Sequence, residues 1–335
     1  MNLLRRGLYS AFAIIALSAP DCLRASSLYD FVRNFPFAEQ ESVIQLPYSA
    51  SDIDALLRAL SETSLSDISP FRRNEFVEGG KTYLAVYSYK VAGAPVVVIA
   101  RTPTRDAVIE APHPIKDRAT AIQAVHLMIN LGAKATIISG NNRCAARTRS
   151  ACSGRTRVCG GGRRAYPSSD PAHNTDSLFH QTHRILNSRW PDTVVVQLHG
   201  YNQRDSETLF ILSDGTPEKR QPDNGITGRV RDRLRISLGA SAIAVSCQDP
   251  GDRRFDYRNL CARTNVQGRQ LNGSPDACRT GAPVSSGRFL HIEQQFPVRR
   301  PFLENPASAG KAPEYAALLR ALSAETPCLN SGCAH

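Results

Sequence analysis

Four side chains have the types and positions for hydrolysis at a bound metal ion: His113, Asp117, His199 and Glu293. Histidine nitrogen and carboxylate oxygen both bind zinc, and a catalytic zinc site needs three such protein ligands plus an open position for water. His113 and Asp117 flank Pro114 four residues apart, which puts two candidate ligands on one tight loop. His199 follows the β-branched run Val194-Val195-Val196 and offers a third. Asp117 has a rival role as side-chain cap of a helix starting near Ala119. Glu110 is then the substitute ligand. Either histidine could instead be a hydrogen-bonded turn residue. Glu293 lies inside the strand-like segment Phe289-Leu290-His291-Ile292-Glu293-Gln294-Gln295-Phe296. A carboxylate there can act as general base, taking a proton as water attacks a carbonyl and passing it to the leaving amine. The competing reading is plain alternation, with His291, Glu293 and Gln295 facing water. Arg143 and His173 are candidates to hold substrate.

These residues need a scaffold that brings distant segments together, and the pattern along the chain supplies one. Helical spacing starts at Ser51, where Ser51 and Asp54 resemble a capping box, and continues through Ile53, Leu56, Leu57 and Leu60. Runs at 83–89 and 95–99 around Ala92-Gly93 predict a hairpin. Strands and helices then alternate. Strands are expected at 107–109, 135–139, 193–198, 208–212, 242–246 and 288–296, and helices at 119–131, 175–190, 226–238 and 312–322. Gly132 is placed to close the second helix of the chain. Such alternation predicts an α/β fold, with a mixed, mostly parallel central sheet and helices on both faces, preceded by a small N-terminal helix-and-hairpin segment. Ligands of open α/β sheets bind beyond the carboxyl ends of strands. Glu110, His113 and Asp117 follow one apolar run, Asn141, Asn142 and Arg143 a second, His199 and Asn202 a third, and Gln248 and Asp249 a fourth.

The polar cluster from Ser169 to Asp176 precedes a helix, with Thr175 or Asp176 as its expected cap and His173 outside it. His180 and His183, one helical turn apart, have no evident third ligand and are read as surface or core-edge residues. No Gly-x-Ser-x-Gly elbow is present, which argues against a serine hydrolase. Gly160-Gly161-Gly162 has no preceding strand and is no phosphate loop.

The first residues read as an export signal. Arg5 and Arg6 precede an apolar run from Leu8 to Leu17, and the small residues Ser18, Ala19, Ala25, Ser26 and Ser27 follow, which places cleavage near Ala19 or Ala25. The run is too short to span a bilayer. Nine cysteines agree with export; removal of Cys22 with the signal leaves eight, an even number suited to disulfides. Cys152 with Cys159 and Cys328 with Cys333 are expected short loops. A zinc knuckle at Cys144, Cys152 and Cys159 lacks the usual tight pairs. The formal charge of +11 is concentrated between Arg143 and Arg164. That stretch is either a solvated, disulfide-pinned loop or a basic rim that draws an anionic substrate. No nucleic-acid recognition motif accompanies it.

At Glu110-Ala111-Pro112-His113-Pro114, Gln197-Leu198-His199-Gly200 and Arg288 to Gln294 the chain resembles the zinc carboxypeptidase and N-formylglutamate amidohydrolase group, and uncharacterised exported bacterial proteins related to it. The resemblance spans roughly residues 110–300 and its motifs are short. It implies a mixed-sheet, phosphorylase/hydrolase-like fold, one zinc ion and amide-bond hydrolysis. His113 and His199 would be ligands, Glu293 the catalytic glutamate, and Arg143 the arginine that meets a substrate carboxylate or developing oxyanion. One departure stands out: the group carries its carboxylate ligand as Glu, closer to the first histidine than Asp117 is.

The expected organisation is a signal at 1–25, an N-terminal segment at 26–80 packed on the main domain, an α/β domain at 81–327, and a tail at 328–335 with a cysteine pair. The expected function is zinc-dependent hydrolysis of peptide-like amide bonds in a periplasmic or secreted protein. Its partner is a small or peptide-like, anionic substrate, with no specific nucleic acid and no membrane span. The alternative is a non-catalytic exported binding protein that holds an anionic envelope glycan or peptide.

Overall fold

The computed structural model describes residues 25–37, 48–61, 66–160, 162–202, 207–240, 243–252, 258–329 and 333. The expected signal run and Cys22 lie outside the described residues. The strands are β1 (Arg72–Glu78), β2 (Lys81–Tyr87), β3 (Val96–Ala100), β4 (Arg105–Ala111), β5 (Ala133–Ile138), β6 (Val194–Tyr201), β7 (Phe210–Ser213), β8 (Ala244–Ser246) and β9 (Phe289–Gln295). They form one nine-stranded mixed sheet in the order β1-β2-β3-β5-β4-β6-β9-β7-β8. The central strands β5, β4, β6 and β9 run parallel. Antiparallel pairings join β1, β2 and β3 on one side and β7 on the other.

Helices cover both faces. On one lie α1 (Leu28–Arg33), α3 (Thr120–Leu131), α5 (Ile226–Leu238) and α10 (Pro313–Glu325), whose apolar residues join Ile109, Val196, Leu198, Leu290 and Ile292 of the sheet in one core. On the other lie α2 (Ala50–Ser61), α4 (Leu178–Arg189) and α6 (Val266–Leu271), packed with Val108, Val195 and Phe289. Three short turns, α7 (Phe296–Arg299), α8 (Pro301–Glu304) and α9 (Pro306–Ala309), connect β9 to α10. No helix among the described residues is long and apolar enough to cross a membrane.

Local chemistry sets several boundaries. The capping box of α2 is Ser49 with Asp52, two residues before the expected pair: the Asp52 amide donates to Ser49 Oγ and the Ser49 amide to Asp52 Oδ2, each at 3.1 Å. Gly132 closes α3 at φ 74°, a left-handed conformation that costs glycine little. Ser177, rather than Thr175 or Asp176, caps α4 by accepting from the His180 amide. The strand β1 has no counterpart in the expected elements. Its sequence, Arg-Arg-Asn-Glu-Phe-Val-Glu, suits an edge strand in which Phe76 alone carries a buried apolar side chain.

All eight cysteines among the described residues are paired: Cys144–Cys159, Cys152–Cys278, Cys247–Cys261 and Cys328–Cys333. The expected Cys152–Cys159 loop is therefore corrected. The Ser153 amide donates to the Cys278 carbonyl at 2.8 Å, which lays the two segments side by side and brings Cys152 to Cys278.

Away from the sheet centre, Asp223 ties the start of α5 to β8. It is 1% exposed and accepts from Lys219 Nζ (2.6 Å), Ser246 Oγ (2.7 Å), the Gly225 amide (3.0 Å) and Thr227 Oγ1. Burial pushes its carboxyl up, but these donors outweigh burial and hold it down at about 2. The folded value lies below the unfolded one, so this stabilisation is present above the unfolded value and is lost as pH falls through the folded one. Discounted for the partly exposed Lys219, it is worth about 1–2 kcal/mol. The stability gap between wild type and Asp223→Asn, measured by urea unfolding, should narrow by about that much between about pH 5 and pH 2. A gap independent of pH would show that the carboxylate charge contributes nothing.

Candidate metal centre

The parallel centre of the sheet places the candidate residues at its carboxyl end. On β6 and β9, residues of one parity point to the α4 and α6 side: Val195, Gln197 and His199 on β6, Phe289, His291 and Glu293 on β9. His199 is registered with Glu293, and Gln197 with His291. Glu110 of β4 is registered with Gln197. Two polar rungs result, Glu110-Gln197-His291 below and His199-Glu293 above. The turn after β4 delivers the remaining candidates. The Asp117 amide donates to the His113 carbonyl at 2.8 Å, and this single turn sets both side chains on the same side. Ala119 then takes a left-handed conformation (φ 75°) as the chain enters α3. For a residue with a Cβ this is a strained state, of the kind that gathers at functional sites.

His113, Asp117 and His199 are all buried and form a group able to hold a metal ion. Asp117 Oδ2 lies 3.3 Å from His113 Nδ1 and 3.4 Å from His199 Nδ1. Tetrahedral coordination at zinc bond lengths of about 2.0–2.1 Å requires ligand atoms separated by about 3.3–3.4 Å. The outer ring nitrogens are occupied by acceptors. His113 Nε2 is 2.8 Å from Asp170 Oδ1, and His199 Nε2 is 2.8 Å from Gln197 Oε1. Both rings therefore carry their proton on Nε2 and turn the Nδ1 lone pair inward. Metal-binding histidines are commonly held in this way by a carboxylate or amide oxygen on the far nitrogen. The donor set, its spacing and its supporting acceptors fit a zinc-sized divalent cation.

The electrostatics point the same way. Burial and Arg143 push the His113 pKa down, but the carboxylates of Asp170 and Asp117 outweigh them and raise it, so this point attracts positive charge, which a bound cation would supply in place of the proton. Burial lowers His199 to about 4, against the pull of Asp117, and leaves it neutral, the form that binds metal. Burial raises Asp117, but the adjacent His113 and His199 rings outweigh it and hold the carboxyl below the usual range.

Asp117 does not cap α3: no side chain does. Glu110, the alternative ligand, is engaged elsewhere. It accepts from His183 Nδ1 at 2.6 Å and Gln197 Nε2 at 2.8 Å, one rung below the cluster. Through Gln197 it fixes the amide that orients His199. His183 and His180 are buried rather than at the surface, so that part of the sequence reading is corrected. Both are core members of α4, drawn inward by Glu110 and Gln267.

Glu293 and His291 do not face water. Strand β9 is central and buried on both faces, so period-two alternation here separates a polar pocket from an apolar core. His291 Nε2 lies 3.7 Å from Glu293 Oε1, while His291 Nδ1 and Glu293 Oε2 are buried without a hydrogen-bond partner. Together with His199 they make a second group that could hold a cation, though only His199 in it has a supporting acceptor. Burial and the Asp117 charge push the Glu293 carboxyl well above the ordinary range, against Arg143 and Arg299.

Arg143 reaches the cluster from the segment after β5. Its Nε donates to Asp170 Oδ2 at 3.0 Å, Nη2 reaches the same oxygen, and Nη1 lies 3.4 Å from His113 Nδ1. His173 donates from Nδ1 to the Thr264 carbonyl at 2.9 Å and stacks on Tyr166 at 3.6 Å. Burial lowers it to about 3, so it is a neutral acceptor at Nε2. His113, Arg143, His173, His199, His291 and Glu293 all line one cavity of about 530 Å³. Sequence reading missed Asp170, Gln197 and the inward His291. Asp170 sat in the polar cluster already singled out before α4, and Gln197 lies two residues before His199, hence on the same strand face.

No family model matches the chain, and no curated protein matches it. Among solved structures the chain is similar to a metallo-carboxypeptidase from Burkholderia cenocepacia, with 11% identity over 83% of this chain and 68% of that one, at a TM-score of 0.31. So loose a likeness decides neither fold nor chemistry; the geometry of the cluster stands independently of it.

Proposed function

We propose that the chain is a zinc-dependent hydrolase of peptide-like amide bonds. The observation that carries this reading is the convergence of two Nδ1 atoms and one carboxylate oxygen at 3.3 and 3.4 Å beside a buried glutamate with an unpartnered oxygen. A divalent ion in such a site supplies Lewis acidity, polarising a carbonyl and making water a better nucleophile. The residues have distinct tasks. His113, Asp117 and His199 hold the cation, with Asp170 and Gln197 fixing the two rings. Glu293 takes a proton at Oε2 and returns it to the leaving nitrogen. Arg143, held along one edge by Asp170, offers Nη1 to the developing oxyanion or to a substrate carboxylate. His173 accepts a hydrogen bond from the substrate at Nε2. The four disulfides suit a protein that works in the periplasm or outside the cell, as the N-terminal sequence suggests.

Elemental analysis of purified protein tests the reading. Wild type should carry one equivalent of zinc, and His113→Ala and His199→Ala should each lose most of it while still unfolding in one cooperative transition, at a lower midpoint. Full zinc retention in both variants would reject the site.

A further inference from the structure

Above the metal-ligand cluster, the cavity wall is charged with one sign. Arg155, Arg157 and Arg163 project from the loop after β5, Arg263 from the segment before α6, and Arg143 from lower down; among the described residues Glu293 is the single acid in the lining. Arg155, Arg157, Arg163 and Arg263 are exposed, and among the described residues none has a carboxylate partner. Helix α5 treats arginine differently. All four arginines of α5 are matched to carboxylates, on Asp232, Asp249, Asp252 or Glu325. Gathering unmatched cations at one concave surface opposes folding and focuses a positive field into the opening.

The loop that displays them is fixed in place. Cys144–Cys159 closes it at one end and Cys152–Cys278 fastens it to the segment after α6. A bridge between Thr156 and Arg164, with backbone bonds of 2.8 and 3.0 Å, folds its tip. The arginines are thus set out before any ligand arrives, which lowers the ordering cost of binding. Guanidinium is also the side chain whose planar fork suits carboxylate and phosphate oxygens. The cavity volume of about 530 Å³, closed below by His199 and Glu293, admits a ligand of a few residues and excludes a duplex from the floor.

We propose that this wall selects substrates carrying several carboxylates, namely acidic oligopeptides, over neutral ones of the same size. The proposal names the substrate class for the amide-hydrolase reading and rests on it for the chemistry, but the recognition itself is a binding property.

Titration calorimetry on the full, oxidised protein measures it, with tri-glutamate and tri-glutamine as probes and a short single-stranded oligonucleotide as competitor. Tri-glutamate should bind roughly ten-fold or more tightly than tri-glutamine at low salt, and the ratio should shrink as salt rises. The triple variant Arg155→Gln, Arg157→Gln, Arg163→Gln should bring the ratio close to one with its thermal midpoint unchanged or raised. Equal binding of the two peptides overturns the proposal, as does a preference that survives the triple substitution. An oligonucleotide that binds more tightly than tri-glutamate overturns it in favour of nucleic acid. The metal reading fails separately. A preference retained in zinc-depleted His113→Ala keeps the arginine wall whatever becomes of the hydrolase. Zinc-dependent cleavage of tri-glutamine as fast as tri-glutamate sinks the wall and leaves the hydrolase standing.

Discussion

Replacing Glu293 by Gln is expected to leave fold and zinc content intact and to lower amide turnover on the order of 10²–10⁴-fold. Glutamine matches the size of glutamate and cannot take a proton at neutral pH. The loss should fall on kcat and kcat/KM together, because proton transfer operates only in the transition state. Stability supplies a second readout with its own sign. A buried carboxyl with an unpartnered Oε2, pushed up by burial and by Asp117, is a poor structural element. Its neutral isostere should hold stability or raise it, the direction seen where a site gives up stability for activity. If Glu293 served packing alone, Gln would lower stability and leave turnover near normal. The measurement needs a substrate first, found by screening amides and short wall-like peptides with zinc present. A variant that keeps near-normal turnover removes Glu293 from the mechanism.

The sequence carried the sheet and much of the cluster because their signals are local. β-branched runs such as Val194 to Val196 are strand signals, and α5 begins and ends where helical spacing puts it. Chain position after strand ends picked out His113, His199 and Arg143, since parallel strands collect whatever follows them at one edge. What stayed hidden depends on distance. Glu293 and His291 alternate as a water-facing strand would, and what turns that face into a pocket is its cover by distant segments, among them Tyr166, His173 and Thr264. Period two says which residues share a face and nothing about what covers it. Cys152 finds Cys278 across 126 residues, a pairing that spacing cannot favour over nearer cysteines. Strand β1 was missed because an edge strand with charged residues on both faces has little apolar alternation to read. Asp170 was overlooked for a related reason. In the polar cluster before α4 a carboxylate looks like a cap, and its partners lie on segments 57 and 27 residues away.

Asp170 should be the most costly of the supporting residues to remove. It is fully buried, and its two oxygens divide the work: Oδ1 meets His113 Nε2 at 2.8 Å, and Oδ2 takes Nε and Nη2 of Arg143. Asp170→Ala strands a nearly buried guanidinium and leaves His113 Nε2 without its acceptor. Breaking a buried ion pair from one side costs about 3–5 kcal/mol. Loss of the acceptor that orients a metal-bound histidine costs about 10–100-fold in metal affinity. Asp170→Asn should separate the two effects. Its amide oxygen can still accept from one partner, but the charge is gone, so the stability loss should be smaller while zinc affinity still falls. The double variant Asp170→Ala, Arg143→Met completes a cycle. With the stranded cation removed, stability should recover in part, and zinc affinity should not, because His113 still lacks its partner. Urea unfolding and competition with a chelator measure the two quantities on the same samples. Should zinc affinity recover with stability, Asp170 would act on the metal centre only through Arg143, and its bond to His113 would play no part in holding the ligand.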